Sequence, residues 1–326
     1  MSVVPNFTPF IGEHCETVAT GNLLRHAGLE LSEPMLLGLG ESIGFGVFSF
    51  KNVPAPFIAG RVRPEAITKA LAKNLKLDIE FRQTRSRKKA WENMASFIDA
   101  GQPVAVKLDC YYLDYFESDF HFAGHYLAAY GYDDDHILVV DSNQQGGAMK
   151  TSRELFEEGR LWKGPMASNA LTWTLSRARS DIDWQGVTKT AIQANAHSYN
   201  TPPIKNFGAA GIRKAAAMAP SWKDTVADAP NQLALMGLLI ERAGTGGGLF
   251  RRLYADFLLE ANGYLNSDII AEAEALIRSA GEGWTKASNS LQHFQKDEAV
   301  LGDVAETFVE IANLEERAFG LLSTVK

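Results

Sequence analysis

Apolar residues at 18, 19, 23, 24 and 27 recur at helical spacing, while Pro5, Pro9 and Gly12 before them disfavour helix. The pattern predicts an extended lead-in over 1–14 and a helix over 15–27 with Gly28 as its C-cap. Ser32, Glu33 and Pro34 open a short second helix. The stretch GLGESIGFGVFSF (38–50) reads as a Gly-hinged turn entering a strand. Pro64 and Glu65 start a helix that runs to about Asn74, and LDIEFRQT (77–84) alternates as a strand does. AWENMASFIDAG is an amphipathic helix ended by Gly101, and QPVAVKLDCYYL (102–113) is apolar enough for a central strand. HYLAAYGY, DDD and HILVVDS (125–142) read as strand, turn and strand: a β-hairpin. NQQGGAMK (143–150) is a turn, TSRELFEEG (151–159) a capped helix, and ALTWTLSR (170–177) a closing strand.

Beyond about residue 180 the strand signals fade. Helices are predicted at about 185–198, 208–218, 222–226, 230–241, 247–262, 266–294 and 297–322, with breaks or kinks allowed at Gly281 and Gly302. The expected fold class is therefore α+β, an N-terminal helix with an antiparallel sheet over 1–179, followed by an all-α domain over 180–326. No internal repeat interrupts this plan.

Composition narrows the functions. The chain has 326 residues, 46% of them apolar and 22% charged, enough for two ordinary soluble domains. A net charge of −7 without a basic face disfavours a nucleic-acid partner. The N-terminus lacks a basic n-region and a long apolar core, and no apolar run is long enough for a membrane span, so a cytoplasmic protein is expected. Two cysteines make neither a disulfide framework nor a zinc signature, which fits free thiols in a reducing compartment. The histidines lack metal-ligand spacing; the HxxxH at 121–125 passes from loop to strand, so no metal is expected. The Gly-rich stretch at 38–46 has no GKS or GKT ending and no helix after it, so it is neither a P-loop nor a dinucleotide fingerprint. Gly44 is kept as a substrate-site candidate because glycine lets a backbone approach a ligand closely.

Cys15 starts the first predicted helix, where the positive end of the helix dipole favours a thiolate. The competing reading is a buried structural cysteine. Cys110, predicted mid-strand with no adjacent cation, reads as structural. His125 opens one hairpin strand and Asp141 ends the other, so antiparallel pairing brings them together at the open end. A carboxylate beside an imidazole fixes its tautomer. His121 is the nearby competitor, His136 lies at the wrong end, and His14 adjoins Cys15 but points elsewhere. A helix-borne Cys, then a strand-borne His, then an Asp on the next strand is the order of a cysteine enzyme with nucleophile and base from two halves of one domain. In the helical half, GTGGGLFRRLYADFLLEA (244–261) offers backbone amides with Arg251 and Arg252 as a candidate phosphate or carboxylate site; the alternative is a flexible turn with two solvent-facing arginines. RSRKK (85–89) is a solvated turn or a contact for an acidic carrier protein.

The pattern HCETVATGNLLRHAGLELSEPMLLGLGESIGF, then LDCYYLDY, then HFAGHYLAAYGYDDDHILVVDS resembles the butirosin biosynthesis protein H family over about 5–175. Residues 185–322 look like the uncharacterised domain that often follows it. The resemblance implies a papain-like cysteine fold and acyl transfer from a carrier-protein thioester to an amine, an aminoglycoside in the founding pathway of antibiotic biosynthesis. Cys15 would be the nucleophile, His125 the base and Asp141 the orienting residue. No cofactor is implied beyond the phosphopantetheine of an acyl or peptidyl carrier protein, which belongs to the substrate. Papain-like peptidases place a Gln a few residues before the Cys, and residues 1–14 contain none. The Cys15 amide would then be joined by Asn6, Thr8 or His14 as oxyanion donor. A thioester tolerates this better than a peptide bond. Asp109, Tyr111, Tyr112, Asp114 and the 117–121 loop are amine-pocket candidates, since acidic and aromatic groups suit a cation. The helical domain would cover the cleft and exclude water. A homodimer through the helical half is allowed, but no feature requires it. The alternative function is a cysteine hydrolase (peptidase, amidase or thioesterase) with the same triad.

Overall fold

The computed structural model describes residues 1–51, 53–61, 63–116, 120–177, 181–295 and 297–326. In chain order the elements are β1 (Ser2–Val3), α1 (Cys15–His26), α2 (Glu33–Leu39), β2 (Ile43–Phe48), β3 (Phe57–Arg61), α3 (Ala66–Asn74), β4 (Leu77–Arg82), α4 (Arg87–Asp99) and β5 (Val104–Leu108). They continue with β6 (His125–Tyr132), β7 (His136–Val140), β8 (Ala148–Ser152), α5 (Arg153–Leu161) and β9 (Thr172–Arg177). The helices α6 (Trp184–Asn200), α7 (Gly208–Met218), α8 (Trp222–Thr225), α9 (Ala229–Arg242), α10 (Arg251–Leu265), α11 (Asp268–Gln292) and α12 (Glu298–Leu322) complete the chain. The α+β plan followed by helices is as the hydrophobic pattern predicts.

The chain divides into two compact units, and the division is discontinuous. One unit holds Met1–Leu36 and Ile67–Ile182; the other holds Leu37–Ala66 and Asp183–Lys326. This corrects the expected boundary at 179/180, which leaves 37–66 with the first unit. The physical reason is the β2–β3 hairpin, whose strands find partners in the helical part of the chain: the Val47 amide donates to the carbonyl of Asn206, between α6 and α7, and the Asn206 side chain returns a hydrogen bond to the Val47 carbonyl.

In the first unit a seven-stranded antiparallel sheet runs β4-β9-β5-β6-β7-β8, with β1 joining β6. Val106, Leu127, Val139 and their neighbours bury one face under Met94 and Phe97 of α4 and Phe156 of α5. Register fixes the site: Leu108 pairs with His125, and Ala128 pairs with Val140, so β6 begins and β7 ends at one edge of the sheet. Two local expectations change. Cys110 is not mid-strand; it lies in a buried 3-10 turn, Cys110–Tyr112, just past β5. The turn after the hairpin is shorter than 143–150, because Gly146 and Gly147 take positive φ (99° and 74°) and send Ala148–Ser152 back along β7 as a strand.

In the second unit α11 and α12 run unbroken through Gly281 and Gly302. Gly281 serves close packing instead: a Cβ on Gly248 would sit 2.7 Å from the Gly281 carbonyl oxygen. Arg251 is fully buried and donates to Glu315 through Nε (2.8 Å) and Nη2 (2.7 Å), and to the Leu249 carbonyl. Glu315 also accepts from Trp284 Nε1 and the Tyr199 hydroxyl. Burial works against the Arg251 charge, but the Glu315 carboxylate outweighs it and its pKa is raised. Arg251 is therefore a structural cation, correcting its candidacy as a substrate ligand. The Gly-rich turn amides are committed as well, Gly247 N–H to Thr245 Oγ1 and Gly248 N–H to Glu241 Oε2. Arg252 bonds Thr285 and faces Glu241 at the surface. Removing one partner of a buried pair strands the other charge, so Glu315→Gln is expected to cost the helical unit about 3–5 kcal/mol. Urea unfolding of the full chain checks this; a midpoint unchanged from wild type would show that Glu315 does not hold Arg251.

Candidate active site

Cys15 is the first residue of α1, half-buried, with His14 as N-cap. Nothing on the His14 side chain caps the helix; the Glu33 carboxylate at the start of α2 reaches over instead. Its Oε2 accepts from the Glu13 amide (2.7 Å), and its Oε1 accepts from the His14 amide (2.8 Å) and the Thr17 hydroxyl (2.6 Å). Gly12 is required for this approach, since a Cβ there would lie 2.7 Å from the carboxylate. Burial raises the Glu33 pKa, and these hydrogen bonds oppose it. From the other side the Asn143 amide donates to the Gly12 carbonyl (2.7 Å), and the Asn143 side chain donates to Glu13 Oε1 (3.2 Å). The turn carrying Cys15 is thus clamped to the loop that follows Asp141.

His125 Nε2 lies 2.9 and 3.0 Å from the two carboxylate oxygens of fully buried Asp141. Nδ1 is then the ring nitrogen available to the Cys15 thiol, with which the imidazole makes a side-chain hydrogen bond. Burial alone lowers the His125 pKa. Asp141, by charge and hydrogen bond, and Cys15 outweigh it, so the pKa stands well above the ordinary histidine value. Cys15, His125 and Asp141 therefore form one hydrogen-bonded set, and the arrangement suits a thiolate–imidazolium pair acting as nucleophile and acid.

Residues 14–142 match the model described as "Butirosin biosynthesis protein H, N-terminal", and residues 155–322 match "Domain of unknown function (DUF4872)". The chain belongs to the butirosin biosynthesis protein H family. No curated protein matches it. Two solved structures are similar over about half of it. One is the peptidase domain of Streptococcus ComA, a bi-functional ABC transporter involved in a quorum-sensing pathway, at 16% identity, 54% of this chain, 97% of that chain and a TM-score of 0.33. The other is a putative C39-like peptidase from Bacillus anthracis, at 20% identity, 56% of this chain, 100% of that chain and a TM-score of 0.38.

In this butirosin biosynthesis protein H family member the remaining candidates divide. His14 is buried at the N-cap with its amide committed to Glu33, while Asn6 and Thr8 are exposed on the lead-in. Gly44 is buried in β2, in the second unit. Asp109 is fully buried and accepts from His121 Nδ1 (2.6 Å), the Phe122 amide (2.8 Å) and the Tyr111 amide (3.2 Å). A carboxylate so occupied does not receive an ammonium ion, which corrects its role in an amine pocket. Tyr111 is exposed and Tyr112 partly so. Asp114 accepts from the Ser152 amide, and residues 117–119 of the expected loop lie outside the described residues.

Sequence reasoning missed Tyr115, whose hydroxyl donates to Asp141 Oδ2 (3.0 Å), and the Ser142 amide, which donates to Oδ1 (2.6 Å). Burial and the neighbouring Asp141 raise the Tyr115 pKa, so it stays a donor. It also missed Glu33, whose only signal was its place at a helix start. Among the described residues no cluster of three His, Cys, Asp or Glu is placed to hold a metal ion, and no helix is long and apolar enough to cross a membrane.

Proposed function

We propose that the protein is a cysteine acyltransferase that moves an acyl group from a carrier-protein thioester to an amine. The observation that carries the proposal is the His125 imidazole held between the Cys15 thiol and the Asp141 carboxylate. The Cys15 sulfur attacks the thioester carbonyl; its bond to the acyl carbon forms as the bond to the phosphopantetheine sulfur breaks. That leaving thiolate takes the proton from the His125 imidazolium. An amine then attacks the acyl-enzyme, the amide C–N bond forms, the Cys15 thiolate leaves, and His125 takes the amine proton. The chemistry needs no cofactor beyond the pantetheine arm of the donor. The family name supports a role in making an antibiotic-like natural product, with an acyl or peptidyl carrier protein and a small amine as partners.

Intact-protein mass after incubation with a panel of acyl thioesters tests the reading. An acyl adduct should form and should be cleared faster by added amine than by water. Clearance at the same rate without amine would make the protein a hydrolase, and no adduct with any thioester would end the covalent mechanism.

A further inference from the structure

A second Asp–His pair stands at the same edge of the sheet. Asp109 directly follows Leu108, the register partner of His125, and His121 lies four residues before His125. The Asp109 carboxylate, held by two backbone amides, accepts the His121 Nδ1 proton at 2.6 Å. His121 is packed between Trp162, stacked at 4.8 Å and 16°, and Tyr111 at 4.3 Å, yet 42% of its side chain remains exposed. With Nδ1 donating to the carboxylate, the unprotonated form of the ring carries its lone pair on Nε2. Just before His125, a Cβ on Gly124 would meet Met166 Cε at 2.6 Å and the Phe122 ring at 2.9 Å, so both side chains lie over the backbone between the two histidines. Among the described residues, the titratable groups facing His121 are Asp109, Tyr111 and Tyr112, with Glu158 of α5 acting on Tyr112.

Proton counting gives this second pair a task. An aliphatic amine arrives as an ammonium ion and must lose one proton to attack and a second as the amide forms. The pair Cys15–His125 absorbs only one: the acyl-enzyme with neutral His125 ends as thiolate and imidazolium. We propose that His121, oriented by buried Asp109, is the base that takes the first proton from the incoming ammonium ion. The N–H bond to the acceptor breaks, His121 Nε2 gains the proton, and the freed lone pair attacks the acyl carbon. His121 then releases its proton to solvent. The inference rests on the acyltransferase reading, because water as acceptor brings no such proton.

The test uses the full-length acyl-enzyme made from an N-acetylcysteamine thioester, discharged by 1,3-diaminopropane or by hydroxylamine, which is largely uncharged at neutral pH. His121→Gln should acylate at the wild-type rate, lose about 10²-fold or more of the diamine discharge at pH 7, and keep the hydroxylamine discharge. The deficit should shrink as pH rises and the diamine deprotonates itself. Asp109→Asn should reproduce it, since an amide facing Nδ1 turns Nε2 into a donor. Wild-type diamine discharge in both variants would overturn the role of His121 and leave the acyltransferase reading standing. A parallel fall in acylation and in discharge by both nucleophiles would make the pair merely structural. A wild-type protein that forms no adduct, or sheds it without regard to amine, would take away both readings at once.

Discussion

Cys15→Ala is expected to lower turnover by about 10⁶-fold and to leave no acyl adduct with any thioester. The argument is local. Cys15 is the first residue of α1, at the positive end of the helix dipole. The imidazole it bonds is one whose proton is retained against burial, so the sulfur has a cation beside it when it attacks. Alanine keeps the helix start, the Glu33 clamp on the Glu13 and His14 amides, and the Asn143 contacts, because none of these uses the thiol. The fold should therefore survive while the covalent step is lost. Cys15→Ser should fall nearly as far, since a hydroxyl is not ionised by a partner sufficient for a thiol. Cys110→Ala is the control: that thiol is 1% exposed in a turn past β5, and its loss should leave the adduct intact. Intact mass and single-turnover rates check all three. An adduct that persists in Cys15→Ala and vanishes in Cys110→Ala would transfer the nucleophile to the other cysteine.

What could be read from the sequence follows interaction range. Cys15 was legible because a helix start is a local event, and His125 with Asp141 because a three-residue turn fixes which ends of a hairpin meet. The supporting groups depend on contacts between segments distant in sequence. Glu33 reaches back 19 and 20 residues to the His14 and Glu13 amides, and Tyr115 reaches 26 residues forward to Asp141. No periodicity encodes either. Asp109 and Arg251 failed for a related reason. Asp109 stands in a predicted strand and Arg251 near the start of a predicted helix; for a charged side chain exposure is the ordinary expectation, yet both are fully buried beside a partner found only in three dimensions, His121 and Glu315. The 37–66 segment was misassigned because its strands pair with each other and not with the large sheet, which hydrophobic alternation alone does not distinguish.

Asp141→Asn is expected to cost about 10³–10⁴-fold in acylation and to change its pH dependence. The carboxylate accepts from His125 Nε2, the Tyr115 hydroxyl and the Ser142 amide. An asparagine has one oxygen for these donors and places an N–H toward another. Turned toward Nε2, that N–H stabilises the Nδ1–H tautomer, and Nδ1 then has no lone pair for the thiol proton. Asp141 is also the largest influence sustaining the imidazolium against burial, which by itself lowers the His125 pKa. Without it the pKa falls, so the alkaline limb of the rate profile, where imidazolium is lost, should move to lower pH. Stability should follow the same sign. A histidine raised in the folded state contributes stability that is full below its unfolded pKa of about 6.5 and is lost as pH rises through the folded value. The advantage of wild type over Asp141→Asn should therefore be greatest on the acid side of that window and shrink toward alkaline pH. Rate profiles and unfolding midpoints across pH 5–10 measure both effects. A slower variant with an unmoved alkaline limb would mean that Asp141 orients the ring without supporting its charge.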